Sequence, residues 1–247
     1  MSTEPAWPQG YDRLVLAQVD STNAEALRRA PTLTDPCWIL GLQQTAGRGR
    51  RGRAWADPPG NFSATLAIRL TDPPARLALR SFTAALALHE ALVGLTGLPQ
   101  AFALKWPNDV LLNGGKLSGI LLESAGGGVL ALGIGVNLRA APPPDPGAAF
   151  PPVSLLAETG FTVTPERFLN HLAPAFASWE ERLSRYGFEP IRTAFLQHVA
   201  RLGEPLIART HTAEIHGIFD TIADDGALVL RTEAGRVTVP AADIFFP

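Results

Sequence analysis

The segment LKWPNDVLLNGGKLSGILLES, residues 104–124, does most to restrict what this chain can fold into. Two apolar runs flank Asn113-Gly114. Both central residues of a tight type I′ turn need positive φ, which Asn and Gly tolerate best. The spacing predicts a β-hairpin with Lys116 at the start of the return strand. A further strand is expected over VLALGIGVNL, 129–138. Its alternate glycines, Gly133 and Gly135, share one face, where something approaches the backbone closely.

The rest of the chain can be divided by period and punctuation. Residues 13–19 read as a strand, and Thr22-Asn23-Ala24-Glu25 reads as a capping box opening a helix that Pro31 stops near Ala30. A second strand is expected over 37–43, a loop over 44–60, and a strand over NFSATLAIRL. Residues 80–97 place Phe82, Ala85, Leu86, His89, Leu92 and Val93 on one helical face ending near Gly97. His89 on that apolar face reads as a packed, structural histidine. A proline-rich insertion at 140–152 precedes helices at 165–186 and 189–199. After about Arg201 the character changes to five short strands punctuated by turns such as Asp224-Asp225-Gly226, the pattern of a small SH3-like barrel. The expected division is therefore 1–200 and 201–247.

Composition limits the classes of function. Of 247 residues, 46% are hydrophobic and 18% charged, enough apolar content for a real core. The net charge of −2 argues against a protein built to coat nucleic acid. The single cysteine, Cys37, excludes an internal disulfide scaffold and permits the cytosol. The N-terminus lacks a signal-peptide pattern and no uninterrupted apolar run is long enough to span a bilayer, so no membrane association is expected.

Three constellations carry chemistry. The first is QTAGRGRRGRAWADPPGN, 44–61, where glycines let backbone N–H groups point at an anion and Arg48, Arg50, Arg51 and Arg53 add fixed positive charge. It is not a Walker loop, and the same composition also suits a solvated basic loop. The second is Lys105-Trp106-Pro107-Asn108-Asp109 with Lys116, in which a rigid hairpin aims an ammonium at phosphate. Asp109 either holds Mg²⁺ or orients Lys116. Taken singly, Trp106 reads as a core aromatic and Lys116 as a turn lysine. The third is Asp20-Ser21-Thr22-Asn23, a capping sequence whose spare hydroxyls also suit a polar ligand.

Together, DSTN, the Arg-Gly string with its tryptophan, KWPND with GGKLSG, and GIGVN resemble, in content and order, the landmarks of biotin protein ligases. The resemblance covers about residues 14–140 and continues more weakly into the C-terminus. It implies an α+β fold: a mixed sheet flanked by helices, class II aminoacyl-tRNA synthetase-like, followed by a small C-terminal SH3-like barrel. It implies a two-step reaction using ATP, biotin and Mg²⁺, in which biotinyl-AMP forms and the biotinyl group passes to a lysine of a carboxylase's biotin-acceptor domain. By the same resemblance Lys116 and Arg50 are catalytic. Ser21, Thr22, Asn23, Gln44, Gly47, Arg48, Arg50, Trp106, Lys116 and Gly119 meet biotin, with Ser21, Thr22 and Gln44 on the ureido ring and Trp106 and Gly119 as apolar walls. Arg48, Arg50, Arg51, Arg53, Trp55, Asn108, Asp109, Lys116 and Asn137 meet ATP or the adenylate, with Trp55 covering the adenine side. Asp109 is the candidate Mg²⁺ ligand.

The resemblance is to the monofunctional type. With about a dozen residues before the first strand, no helix-turn-helix module and no DNA partner are expected. A cytoplasmic enzyme, with a homodimer possible, follows from the same resemblance. Two other readings compete with this one. A lipoate ligase or octanoyltransferase shares the fold, but the latter needs a cysteine nucleophile, and Cys37 lies in a strand-like run without a basic partner. A nucleic-acid-binding module would want aromatic residues interleaved with the basic ones, which are lacking.

Overall fold

The computed structural model describes residues 4–125, 128–144, 149–210 and 212–246. Of the proline-rich insertion, residues 145–148 lie outside the described residues. A seven-stranded mixed sheet forms the larger body. Its strands are β1 (Asp12–Leu16), β2 (Cys37–Gly41), β3 (Phe62–Arg69), β4 (Phe102–Lys105), β5 (Asp109–Leu112), β6 (Gly115–Ala125) and β7 (Val129–Val136), in the order β1-β2-β3-β7-β6-β5-β4. Only the β1–β2 pair is parallel; the others are antiparallel. The expected hairpin is present: Asn113 and Gly114 have φ of 49° and 82° and join β5 to β6.

The helices are α1 (Thr22–Arg29), α2 (Pro74–Ala78), α3 (Arg80–Thr96), α4 (Leu155–Thr159), α5 (Pro165–Tyr186) and α6 (Glu189–His198). The start of α1 differs by one residue from the capping box. Ser21, with extended backbone, is the N-cap, and its side chain accepts from Ala24 N, so Thr22 is already helical and its hydroxyl is free for other work. The short α2 and α4 escaped the periodicity reading because five residues are too few to show a 3.6 repeat. Gly97 closes α3 in the left-handed conformation, at φ 70°. The stretch Pro74–Thr96 is long and apolar enough to cross a membrane by length and composition, but most of it is buried inside the protein, as in a core helix.

The core lies between one face of the sheet and α3, α5 and α6, where Trp38, Phe62, Phe168, Phe176 and Phe195 are fully buried. The opposite face carries α1, packed on β3 and β7 through Ala26, Ile39, Ala67 and Ala131. His89 is buried on α3 as expected, with its ring stacked on that of His198 at 4.2 Å between centroids.

The C-terminal segment forms a five-stranded antiparallel sheet of the SH3-like kind, β8 (Pro205–Arg209), β9 (Glu214–Ile222), β10 (Leu228–Thr232), β11 (Gly235–Val239) and β12 (Asp243–Phe245), ordered β11-β10-β9-β8-β12. It is docked on the larger body. Gly226, in the β9–β10 turn, sits against Phe82 and Leu79, and its carbonyl accepts from Trp106 Nε1 at 2.9 Å.

Candidate functional site

One cavity of about 370 Å³ opens between the sheet, the Arg-Gly loop and β12. Its charged floor comes from the KWPND turn. Lys105 and Asp109 are paired residues of β4 and β5, so the turn between them holds their side chains together. Asp109 Oδ2 accepts from Lys105 Nζ at 3.1 Å, and Asp109 Oδ1 lies 2.8 Å from Lys116 Nζ on β6. Asp109 and Lys105 are buried, whereas the Lys116 side chain is 36% exposed and reaches the cavity. Burial alone would raise the Asp109 carboxyl, but the charges and hydrogen bonds of Lys105 and Lys116 outweigh it and hold it down at about 2. Asp109 is thus a carboxylate that aims Lys116. It does not fit the expected role of Mg²⁺ ligand, because both oxygens already face ammonium groups. No group of three His, Cys, Asp or Glu suited to a metal occurs among the described residues.

The Arg-Gly loop folds over the cavity as a small hairpin. Trp55 N donates to Gly47 O, Arg48 bridges to Ala54, and Gly49 N donates to Arg53 O. Side chains tie it down. Arg50 Nη1 donates to Asn108 Oδ1 at 2.9 Å, Arg48 pairs with Glu123 of β6 at 3.4 Å, and Arg51 pairs with Asp243 of β12. Arg53 lies 3.6 Å from the same Asp243 carboxylate. Asn108 is held in turn, donating from Nδ2 to Ile120 O at 2.6 Å. The Trp55 indole lies over β6 and β7. A Cβ built on Gly135 would collide with it, and one on Gly119 would touch its ring at 3.4 Å. This is the close approach that the alternate glycines anticipated. The other, Gly133, has no room because Asn23 Oδ1 occupies it. Trp55 Nε1 is buried against Gly135 of β7 and has no hydrogen-bond partner among the described residues.

The third wall is a chain of polar side chains. Thr22 N donates to Gln44 Oε1 at 2.8 Å, with the Thr22 hydroxyl 3.2 Å from the same oxygen. Thr65 Oγ1 lies 2.8 Å from Thr22 Oγ1 and 2.6 Å from Asn23 Oδ1. Asn23 Nδ2 donates to Glu123 Oε2 at 2.8 Å, which closes the chain onto Arg48. At the other end Asp57 accepts from Gln44 N at 2.8 Å and from Ser63 Oγ at 2.9 Å. Burial raises the Asp57 carboxyl, partly offset by these hydrogen bonds.

Ser21, Thr22, Asn23, Gln44, Arg48, Arg50, Arg51, Arg53, Trp55, Asn108, Asp109, Lys116, Gly119 and Asn137 all line this one cavity. Two expected residues do not. Trp106 is 2% exposed and points into the core toward Gly226, because the adjacent turn commits Lys105 and Asp109 to the cavity side. Gly47 lies behind the lining, where a Cβ would fall 2.6 Å from Trp55 O, so its lack of a side chain closes the base of the loop. Trp55, expected to cover an adenine, lies on the sheet beside Lys116, both within 4 Å of the Gly119 position. Cys37 is half-buried, and burial followed by the Asp12 charge pushes its thiol up, which does not suit a nucleophile.

The sequence reading missed Ser63, Thr65, Asp57, Glu123 and Asp243. For the first two a signal existed: Asn61, Ser63 and Thr65 alternate with apolar Phe62, Ala64 and Leu66, a polar face on an otherwise buried strand.

Residues 15–138 match the model of the Biotin/lipoate A/B protein ligase family, and residues 202–246 match that of the Biotin protein ligase C terminal domain. The chain is 57% identical over 239 residues to a biotin–[acetyl-CoA-carboxylase] ligase of Paracoccus denitrificans, covering 94% of this chain and 99% of that one. It is 34% identical over 244 residues to a biotin–[acetyl-CoA-carboxylase] ligase of Mycobacterium tuberculosis, covering 93% and 87%. Its fold is similar to that of a biotin protein ligase from Aquifex aeolicus in complex with biotin and ATP, with a TM-score of 0.81 and 24% identity over 94% of this chain and 97% of the other.

Proposed function

Since this chain belongs to the biotin/lipoate A/B protein ligase family, we infer that it is an ATP-dependent ligase that activates biotin and transfers it to a lysine of a biotin-acceptor protein. The observation that carries this reading is the Lys105–Asp109–Lys116 group under an arginine-bearing loop. Joining biotin to ATP brings two anions together, and a site that supplies fixed positive charge lowers that barrier without having to reorganise.

In the first step a biotin carboxylate oxygen attacks the α-phosphorus of ATP, and the bond to the β-phosphate breaks to release pyrophosphate. Lys116, aimed by Asp109, neutralises both the carboxylate and the α-phosphate. Arg50, fixed by Asn108, covers the same charge from the loop side, with Arg48, Arg51 and Arg53 around the phosphates. Any Mg²⁺ that accompanies ATP would be held by its phosphates rather than by Asp109. Ser21, Thr22 and Gln44 suit the ureido group, which presents two N–H donors and a carbonyl acceptor. Gly119 and Trp55 provide the apolar wall first assigned to Trp106. In the second step the acceptor lysine's neutral amine attacks the carbonyl carbon, the bond to AMP breaks, and the amine loses a proton. The loop that closes over the mixed anhydride keeps water out until then.

The acceptor is a biotin-carrying carboxylase subunit, the setting is the cytoplasm, and no DNA partner enters this reading. The division of labour falls at 200/201, with the ligand machinery in the larger body and Asp243 reaching into it from the smaller. Biotin-dependent exchange of labelled pyrophosphate into ATP tests the proposal. Exchange with biotin but not lipoate is expected, and exchange with lipoate alone overturns it.

A further inference from the structure

Among the described residues Asp57 pairs with no charged side chain, yet its carboxylate is engaged from two elements at once. One oxygen accepts from Gln44 N, at the entry foot of the Arg-Gly loop; the other accepts from Ser63 Oγ on β3. The Gln44 side chain adds a further contact. Asp57 itself stands at the exit foot of the loop, two residues past Trp55, and is followed by Pro58-Pro59. A residue before proline is confined to extended backbone, and proline fixes φ, so the chain itself restrains the backbone from which this carboxylate projects. Asn61 then clamps the far side: its Oδ1 accepts from Arg139 N and Ala140 N, at 2.9 and 3.0 Å.

Gln44 is the residue this arrangement orients. Its Oε1 is held by Thr22 N and its backbone N–H by Asp57. With both ends fixed, Gln44 and Thr22 present one pattern of donors and acceptors to the cavity. A ureido group offers a rigid set of three polar atoms and is recognised well only by a partner that does not rotate. We propose that Asp57 is a positioning residue for biotin: it fixes Gln44 against Thr22, so that ureido recognition depends on a carboxylate that itself lies outside the cavity lining. This rests on the biotin reading above.

The isosteric change Asp57→Asn separates this role from a merely structural one. The amide can still accept from Gln44 N while its NH₂ donates to the Ser63 hydroxyl, so what the variant removes is the negative charge that strengthens the hold on Gln44. Steady-state kinetics of biotin-dependent pyrophosphate exchange, with circular dichroism to confirm folding, is the measurement. The KM for biotin is expected to rise about tenfold, while kcat and the KM for ATP stay within about twofold. A biotin KM equal to wild type, or equal rises in both KM values, overturns the proposal. If Asp57→Asn does not fold, Asp57→Glu is compared instead. Its extra methylene cannot keep both contacts at their present lengths, and a biotin KM raised at least about threefold is expected; an unchanged value overturns the proposal. Failure of the wild-type chain to use biotin at all would count against the underlying reading, and an unaltered variant of an active enzyme against Asp57.

Discussion

Lys116 Nζ lies 2.8 Å from Asp109 Oδ1, and the other oxygen of that buried carboxylate is held by Lys105 Nζ at 3.1 Å. The pair joins the two strands of the hairpin, so the ammonium that reaches the cavity is placed by backbone pairing rather than by chance rotamer. Substituting Lys116→Ala removes this fixed charge and leaves Asp109 compensated by Lys105, so the fold survives. Loss of a preorganised charge contact of this type costs on the order of 3 kcal/mol, or about a hundredfold in the rate of adenylate formation. Pyrophosphate release at a near-normal rate would remove Lys116 from the chemistry.

Arg50 governs closure more than activation. Its guanidinium donates to Asn108 in the same turn that holds Lys105 and Asp109, so it latches the loop over the cavity. Arg50→Gly loses the latch and raises the entropy lost when the loop orders. Biotinyl-AMP should still form but escape and hydrolyse sooner, measured as a shorter lifetime of the enzyme-bound intermediate. A lifetime matching wild type would show that Arg50 plays no part in retention.

Trp106 is expected to matter for stability and not for biotin. Its indole N–H satisfies the Gly226 carbonyl across the contact between the two sheets. Trp106→Phe leaves that carbonyl without its donor, a loss of about 1–2 kcal/mol in denaturant unfolding, with the KM for biotin unchanged. A raised KM with unaltered stability would return Trp106 to the ligand site.

His89 makes stability depend on pH. Burial, then the neighbouring His198, pushes its pKa from 6.5 down to about 4 in the folded chain, and its Nε2 has no hydrogen-bond partner among the described residues. The folded state therefore holds a neutral ring. The unfolded chain takes up a proton below pH 6.5 that the folded one refuses until about pH 4. Stability is full above the upper value and falls as pH drops through this window, by on the order of 3 kcal/mol. Unfolding free energies measured from pH 7.5 to 4.5, both about a unit or less beyond or inside that window, should fall in the wild type and flatten in His89→Gln. Parallel slopes for the two proteins would assign the acid sensitivity elsewhere.

Much of the site is legible in the sequence. Turn chemistry at Asn113-Gly114 and the alternate glycines at 133 and 135 have local physical causes, so the hairpin and the close approach over β7 could be read directly. What could not be read were choices made by tertiary contact. Trp106 and Lys105 are neighbours in sequence, and only the register of β4 on β5 decides which faces the cavity. Whether Asp109 meets a metal or two lysines depends on that register for Lys105 and on the pairing of β5 with β6 for Lys116. Asp57, Glu123 and Asp243 look like ordinary acidic residues until distant segments bring Gln44, Arg48 and Arg51 to them.

The most direct measurement is to incubate the whole chain with ATP, Mg²⁺, biotin and a carboxylase biotin-acceptor domain, and to read the acceptor's mass and the modified residue. The acceptor should gain one biotinyl group, on a single lysine, only when ATP is present. An acceptor left unmodified with biotin but modified with lipoate, or modified without ATP, would contradict the account.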